Sequence, residues 1–543
     1  MADVDVDVDV LVVGAGPVGL TMAGELCRRG VGCRIVDRLA DREPFAKAVG
    51  IQPRTLETWA TAGLLDEALD AAVPMRGQQE FVNGEMTGQI VLELPASVPF
   101  GFVALPQYET ERILTDHLRG LGTDIDRGME LISFRQDADA VTSCLVGPAG
   151  PETVRARFLV GCDGAHSAVR RGLGLEFAGD AFPEQYMLAD VDVDWSLPPG
   201  TGMRAQHQTD GKVDDILVAI PLPGRNRYRV SMLVAPELAM PAPAGGEVAH
   251  GLESGRKPEL RHIQAVLDRL APEPARASHL RWSSVFRISH RLVDRYREGR
   301  AFVVGDAAHI HPPTGAQGMN TGIQDACNLG WKLALAAQGA ASADLLDSYH
   351  AERHPVGEEV VGRTVRHARA GFETSPDDQS AMIMREAQLL VGYPDSPLVG
   401  EDVSGGQLAA GPRPGQRAPD CGGLRRASVS FPLRLFELLH PNDHTLFLYA
   451  EDSRQAAGFA ELITAAVRRA HGRLRAHVVV APDADSPDAS VPVLADAAGQ
   501  FRTAYDATGG CGYLIRPDGY VGYRAGQMAT PQLTAHLRAI FTA

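Results

Sequence analysis

The sequence predicts a mixed α/β chain: a core built on a parallel sheet, antiparallel β-rich insertions folded over it, and a smaller C-terminal α/β unit. Three observations predict this. First, an apolar run from Val8 to Val13 ends in Gly14-Ala15-Gly16-Pro17-Val18-Gly19. A helical stretch to Arg29 and a second apolar run, Cys33 to Asp37, follow it. That is one βαβ unit. Second, alternating segments such as Met187 to Trp195 and Arg229 to Val234 interrupt the α/β pattern, with turns such as Leu222-Pro223-Gly224 between them. Third, a polar Gly- and Pro-rich stretch at 404–420 separates the last strands and helices from the rest, as an interdomain linker does.

Taken in order, residues 1–75, 101–179 and 285–403 are expected to form a discontinuous core domain with a helical extension. Residues 76–100 and 180–284 are expected to form a β-sheet domain, 404–420 the linker and 421–543 the C-terminal domain. In the last, strand HTLFLYA, helix AAGFAELITAAVRRA, strand HVVVAP, a hairpin around Pro517-Asp518-Gly519 and a helix from Thr530 follow one another. That order resembles a thioredoxin-like domain, but without the redox dithiol. Helical periodicity is expected from Gly322 to about Gly371. The N-terminal VDVDVDV tract either extends the first strand or frays.

Composition excludes several classes. A length of 543 residues, 45% hydrophobic and 22% charged, with a mean hydropathy of −0.10, describes a soluble protein with material for large cores. A net charge of −16 argues against a nucleic-acid partner, which needs a basic face. No apolar run approaches the roughly 20 residues of a membrane span, and the N-terminus lacks a basic leader. The seven cysteines are scattered and form no Cys-x-x-Cys pair. These features lead to the expectation of a cytoplasmic protein whose thiols serve as apolar filler.

Three motifs carry chemistry. Gly14-x-Gly16-x-x-Gly19 lies between a strand and a helix, and Asp37 follows Gly14 by 23 residues, close to the roughly 20 of a ribose-binding acid. Glycines there let the backbone approach a pyrophosphate at a helix N-terminus, and the carboxylate accepts ribose hydroxyls. Asp163-Gly164, at the end of a second apolar strand, repeats the pairing of acid and glycine, although alone it also describes an ordinary Asp-Gly turn. Gly305-Asp306 ends a third, and there Pro312-Pro313, Gly315 and Gly318 lead into a helix beginning near Met319. Free N–H groups at that helix start would suit a planar ring that becomes anionic on reduction. The pattern Asp306-x-x-His309-x-His311 also suggests a metal. The aspartate and glycines are better accounted for by the ring, so no metal is expected and both histidines are read as packed loop residues.

Together these motifs resemble the class A flavoprotein aromatic hydroxylases, the para-hydroxybenzoate and phenol hydroxylase family. The similarity covers essentially the whole chain. It is closest to the longer members that act on aromatic polyketides and carry a C-terminal thioredoxin-like domain. GAGPVG, GCDGAHSAVR and GDAAHIHPPTGAQGMNTGIQDACNLGWKLA stand in family order, LPQYETERIL matches as well, and VGIQPRTLE and GYPDSPLV match more loosely.

The resemblance implies a Rossmann-like (GR2-type) FAD-binding domain, an inserted antiparallel substrate domain and FAD as cofactor. Gly14, Gly16, Pro17, Val18, Gly19, Asp37 and Arg38 would hold its ADP half, and Lys47 stands where relatives usually carry arginine. Gln107 would contact the flavin, Asp163 and Gly164 would serve FAD and the transient NAD(P)H, and Asp306 would hold the ribityl chain. The amides of Gly318, Met319 and Asn320 would face the isoalloxazine, with Pro313 beside it as a possible substrate contact. Two further departures are Ala316 for a common glycine and His166 for arginine or asparagine.

The implied activity is hydroxylation of a bulky phenolic or polyketide-type aromatic by O2 through a flavin C4a-hydroperoxide. NADPH or NADH would be the donor, with Arg38 and Arg42 leaning towards NADPH. Epoxidation or Baeyer–Villiger insertion is the alternative outcome of the same cofactor chemistry. A silent FAD-binding protein and a halogenase are the remaining alternatives. Halogenases want a Trp-x-Trp segment, and Trp59, Trp195, Trp282 and Trp331 are nowhere so spaced. No catalytic side chain is singled out, since His207, Arg204, Gln206 and Tyr228 lie on strands whose alternation leaves the facing open. Oligomeric state is not legible.

Overall fold

The computed structural model describes residues 6–42, 48–241, 248, 250–252, 257–370, 379–404, 408, 410–427, 429–482, 484 and 493–543. Lys47 lies outside the described residues, as do the first two residues of the VDVDVDV tract, whose later part enters the first strand from Val8.

The core is a sheet in which strands Ala301–Val303, Gly150–Gly161, Val8–Val13, Cys33–Asp37 and Ile125–Arg127 lie side by side and parallel. Val8–Val13 is central, and its last four residues are buried, as expected of a strand covered on both faces. Helices Pro17–Cys27 and Gln317–Ala337 pack over it, joined through Leu20, Ala23, Ile323 and Ala326 in one core. The second helix begins at Gln317, five residues before the Gly322 read from periodicity.

The insertion is a nine-stranded, mostly antiparallel sheet dominated by two 18-residue strands, Phe177–Asp194 and Arg276–Val293. Period-two alternation sends Met187, Ala189, Val191, Met203, Ala205, Leu217, Val230 and Met232 to one face. There they pack on Ile263, Val266, Leu267 and Leu270 of helix Leu260–Leu270. The opposite face carries Tyr186, Leu188, Arg204, Gln206, Ile216, Val218 and Ser231, in rows fixed by the pairings Arg204↔Val218, Val218↔Ser231 and Leu188↔Ser231. Strand His309–Ile310 joins this sheet through Arg291↔Ile310 and Leu292↔His309, so the third motif bridges the two domains.

The C-terminal sheet has seven strands around His444–Ala450, which is buried along its whole length. Its order of strand, helix, strand, hairpin and helix follows the sequence expectation. One difference concerns Gly400–Asp402, assigned from sequence to the core domain's extension. It forms an edge strand parallel to Val521–Ala525 of this sheet. Within the 404–420 stretch, Gly415 N donates to Val521 O at 2.7 Å and Ala418 N to Gly519 O at 3.0 Å. Backbone donors that a free linker would leave to water are here taken up by the hairpin.

Candidate functional site

Sheet register brings the three motifs together. Val13 pairs with both Gly161 and Val36, and Gly161 pairs with Val303. The residues after each strand end therefore emerge along one edge: Gly14, Asp37, Asp163-Gly164 and Gly305-Asp306. Ligands collect at such carboxyl edges of parallel sheets.

The glycines have distinct jobs. A Cβ at Gly19 would fall on the Gly14 carbonyl oxygen, and one at Gly14, whose φ is +100°, would fall on the Cys162 carbonyl. These two admit close packing of helix and strands. Gly16, the N-cap of the helix Pro17–Cys27, faces open space, where a Cβ would meet nothing within 4 Å. Val18 also packs. Its Cγ2 would lie 3.0 Å from a Cβ on Gly305 and 2.6 Å from one on Gly322, so it wedges the first motif against the third.

The acids differ in state. Asp37 accepts from Ala15 N at 2.7 Å and Leu39 N at 2.8 Å, which fixes the carboxylate beside the glycine turn. Arg38 next to it is exposed. Asp163 Oδ2 accepts from Ala168 N at 2.6 Å and Val169 N at 3.2 Å, while Oδ1 is buried with no hydrogen-bond partner among the described residues. Burial pushes its carboxyl up despite those amides. Asp306 is exposed in the turn Gly305–Ala307. Arg170 ties the second and third motifs, donating to Ala165 O at 2.7 Å and Ala307 O at 3.1 Å.

Around the third motif, Asn320 does more with its side chain than its amide position suggested. Its Oδ1 accepts from Gln52 N at 3.0 Å and Thr55 Oγ1 at 2.7 Å, and its Nδ2 donates to Gly50 O and Ala316 O at 2.9 and 2.8 Å. The fully buried amide thus clasps the loop to residues 50–55. Gly318 and Met319 are half-buried at the helix start, and Pro313 is exposed. Gln107 accepts from Ala48 N at 3.0 Å and donates to Glu111 at 2.8 Å, so its amide is held against the segment preceding Val49. Gly315 and Ala316 are both left-handed, with φ of +72° and +55°. An alanine there is strained by about 1 kcal/mol. Ala316→Gly is therefore expected to raise the thermal midpoint, read by differential scanning calorimetry, and an unchanged or lower midpoint would refute the strain.

His309 Nε2 bonds Asp325 at 2.8 Å and His311 Nδ1 bonds Pro312 O at 2.9 Å, with the two rings stacked at 6.3 Å and 13°. Burial, and then His309, pulls the His311 pKa down to about 3. Of the β-domain residues named from sequence, Tyr228 packs with Trp195 on the helix-covered face, and His207 is half-buried and paired with Asp214 at 2.6 Å. Arg204 and Gln206 share the open face with Tyr186. Burial lowers the Arg204 pKa, partly offset by Glu80 and Tyr186.

Acid–glycine turns from two strands, a glycine turn with Asp37 beside it, an open Gly16 cradle at a helix N-terminus and an unsatisfied buried Asp163 oxygen fit the groups of a flavin dinucleotide. They define a dinucleotide-binding flavoprotein with an inserted β domain. The chain matches the FAD binding domain family over residues 7–364 and the aromatic-ring hydroxylase C-terminal family over 411–543. It is 32% identical over 531 residues to a flavin-dependent monooxygenase of Mycobacteroides abscessus, covering 94% of this chain and 96% of that protein. It is 35% identical over 571 residues to 6-methylpretetramide 4-monooxygenase of Streptomyces rimosus, covering 98% and 93%. The structure of aklavinone-11 hydroxylase with FAD and aklavinone superposes with a TM-score of 0.74 at 27% identity, covering 99% of each chain. The chain belongs to the FAD-dependent aromatic-ring hydroxylases, a family of flavin-dependent monooxygenases. No described helix is long and apolar enough to cross a membrane.

Proposed function

We propose that this monooxygenase uses NADPH or NADH and O2 to hydroxylate a bulky phenolic or polyketide-type aromatic. The convergence of Gly14–Gly19, Asp163-Gly164 and Gly305-Asp306 on one sheet edge, with the third motif paired into the inserted sheet through His309–Ile310, carries the reading. Support for the substrate class comes from relatives named for tetracycline-type substrates and pentachlorophenol and from the mixed apolar and polar character of the face bearing Tyr186, Leu188, Arg204 and Val218.

Bound FAD supplies the redox and oxygen chemistry. The chain's residues bind and orient. Gly14, Gly16, Pro17, Val18, Gly19, Asp37 and Arg38 would hold the ADP half, Gln107 would contact the flavin, and Lys47 would serve where relatives usually carry arginine. Asp163 and Gly164 would serve the dinucleotides, and Asp306 would take the ribityl hydroxyls. The Gly318, Met319 and Asn320 amides would stabilise negative charge on the ring at the helix N-terminus. The aromatic substrate would lie between the open sheet face and Pro313, where apolar and polar side chains together would orient it. Seven free thiols suit a cytoplasmic setting.

The test is purification followed by NADPH-oxidation and product analysis across phenolic and polycyclic aromatics. The protein is expected to be yellow and Asp306→Ala to weaken FAD binding by at least about tenfold, or 1.4 kcal/mol. A colourless protein indistinguishable from its Asp306→Ala variant would refute the assignment.

A further inference from the structure

The helix Gln317–Ala337 is lined by buried apolar residues, yet Asp325 lies inside it with no exposure. An aspartate does nothing for helix formation, and burying a carboxylate costs several kcal/mol unless it is paired and hydrogen-bonded. Its partners show what it is held for. Oδ2 accepts from Gly305 N at 3.2 Å and bonds His309 Nε2 at 2.8 Å. Oδ1 accepts from Arg353 Nε at 2.6 Å. One oxygen therefore grips both ends of the five-residue turn Gly305–His309, and the exposed Asp306 stands between those two grips. Arg353 is held in turn by Thr321 O and Tyr393 Oη, each at 3.1 Å. The guanidinium is thus anchored to the same helix, one turn before Asp325. Burial by itself would raise the Asp325 carboxyl, but Arg353 and His309 outweigh it and hold it below the ordinary value.

We propose that Asp325 is a positioning residue for flavin binding: it fixes the Gly305–His309 turn so that Asp306 meets the ribityl chain in one geometry. The inference rests on the reading of Asp306 given above. Asp325 and Arg353 do not touch the cofactor, and both act through the turn. Arg353 neutralises Asp325 from the far side, leaving Oδ2 free to serve the turn. His309 is aligned by this contact and by its strand pairing with Leu292. Its Nδ1 has no hydrogen-bond partner among the described residues, so the ring depends on Asp325 for its polar anchorage.

The experiment compares Asp306→Ala, Asp325→Asn and His309→Leu with wild type. FAD dissociation constants are measured on deflavinated protein at a temperature where circular dichroism shows each variant folded. The visible spectrum and midpoint potential of the bound flavin are recorded alongside. Asp325→Asn keeps the side-chain shape and is expected to weaken FAD by at least about tenfold, with a shifted flavin band. His309→Leu, which leaves the Asp325–Arg353 pair intact, is expected to move affinity and spectrum in the same direction by a smaller factor. A folded Asp325→Asn protein with wild-type affinity and spectrum would overturn the proposal. If that variant does not fold, a His309→Leu protein with wild-type affinity and spectrum overturns it instead. Should Asp306→Ala alone leave FAD affinity unchanged, the reading of the turn fails first and the positioning role falls with it.

Discussion

Glu352→Gln is expected to cost about 3–5 kcal/mol, the range for removing one member of a buried ionic cluster. Glu352 has no exposed surface. Its Oε1 accepts from Arg516 Nη1 at 2.6 Å and Ser396 Oγ at 2.5 Å. Its Oε2 accepts from Arg516 Nη2 at 2.8 Å, Lys332 Nζ at 2.7 Å and Asn328 Nδ2 at 2.6 Å. Arg516 also bonds Asp518, Nε to Oδ1 at 3.0 Å and Nη2 to Oδ2 at 2.5 Å. Two cations meet two anions, so the cluster is neutral as built, and glutamine would leave one buried positive charge unmatched. Because Arg516 and Asp518 belong to the C-terminal hairpin while Glu352 and Lys332 belong to the flavin domain, the loss falls on the junction.

A pH signature separates this from simple loss of packing. Burial pulls Lys332 down to about 8, with Glu352 opposing the shift. Without that carboxylate the lysine sheds its proton at still lower pH, and the unmatched charge disappears. The deficit in unfolding free energy is therefore expected to shrink as the pH rises towards about 8 and to level off above it. A thermal midpoint within about 1 °C of wild type at neutral pH would refute a loss of this size.

That junction illustrates what sequence reading reaches and what it misses. The placement of Gly14, Gly16, Gly19 and Asp37 is legible because it depends on spacing within one βαβ unit. Asp163-Gly164 and Gly305-Asp306 are legible because each ends an apolar run, and the sheet register then aligns them. Glu352 and Arg516 are 164 residues apart, and Asp325 and Arg353 are 28 apart. No local periodicity links such pairs. The available signal was a charge within an apolar helix, as in IQDACNLGWKLALAA, which asks for a partner without naming it. Strand alternation likewise leaves the choice of face open. Tyr228 and Arg204 looked equivalent in sequence, yet one packs beneath the sheet and the other lies on its open face. The Gly400–Asp402 strand escaped notice because a three-residue edge strand in a Gly-rich segment carries no alternation to read.

Lowering the pH from 7 to 5 is expected to remove about 6 kcal/mol of stability through three buried histidines, His311, His444 and His477. Burial holds His444 at about 3, with Arg516, His536 and Arg29 adding to the shift. It holds His477 at about 4, with Arg426 adding, and His311 at about 3. The folded values lie below the ordinary 6.5. As pH falls through 6.5 the unfolded chain takes up protons that the native chain refuses. Their contribution is intact above that value and declines by about 1.4 kcal/mol per unit for each group, or about 2 kcal/mol each at pH 5. Asp163, Glu386 and Asp420 work in the opposite direction, since burial raises their carboxyls and the native state takes their protons first. That compensation ends at the unfolded carboxyl values of 3.8 and 4.5, whereas the histidine loss starts at 6.5. The histidine loss of about 6 kcal/mol, before that compensation, would approach the whole margin of a typical domain. Two of the three residues lie in the C-terminal domain, so it should unfold first. His444 sets its ring edge-on to Trp331 of the flavin domain at 5.3 Å and to Phe541 at 5.5 Å. Protonating it therefore strikes the same junction that Glu352 holds. His444→Phe keeps an aromatic ring there and removes the titration, and it should recover about 2 kcal/mol of the loss between pH 7 and pH 5. Urea unfolding at the two pH values measures both quantities. A wild-type stability that stays flat over that interval would show that these imidazoles gain protons without leaving their buried sites.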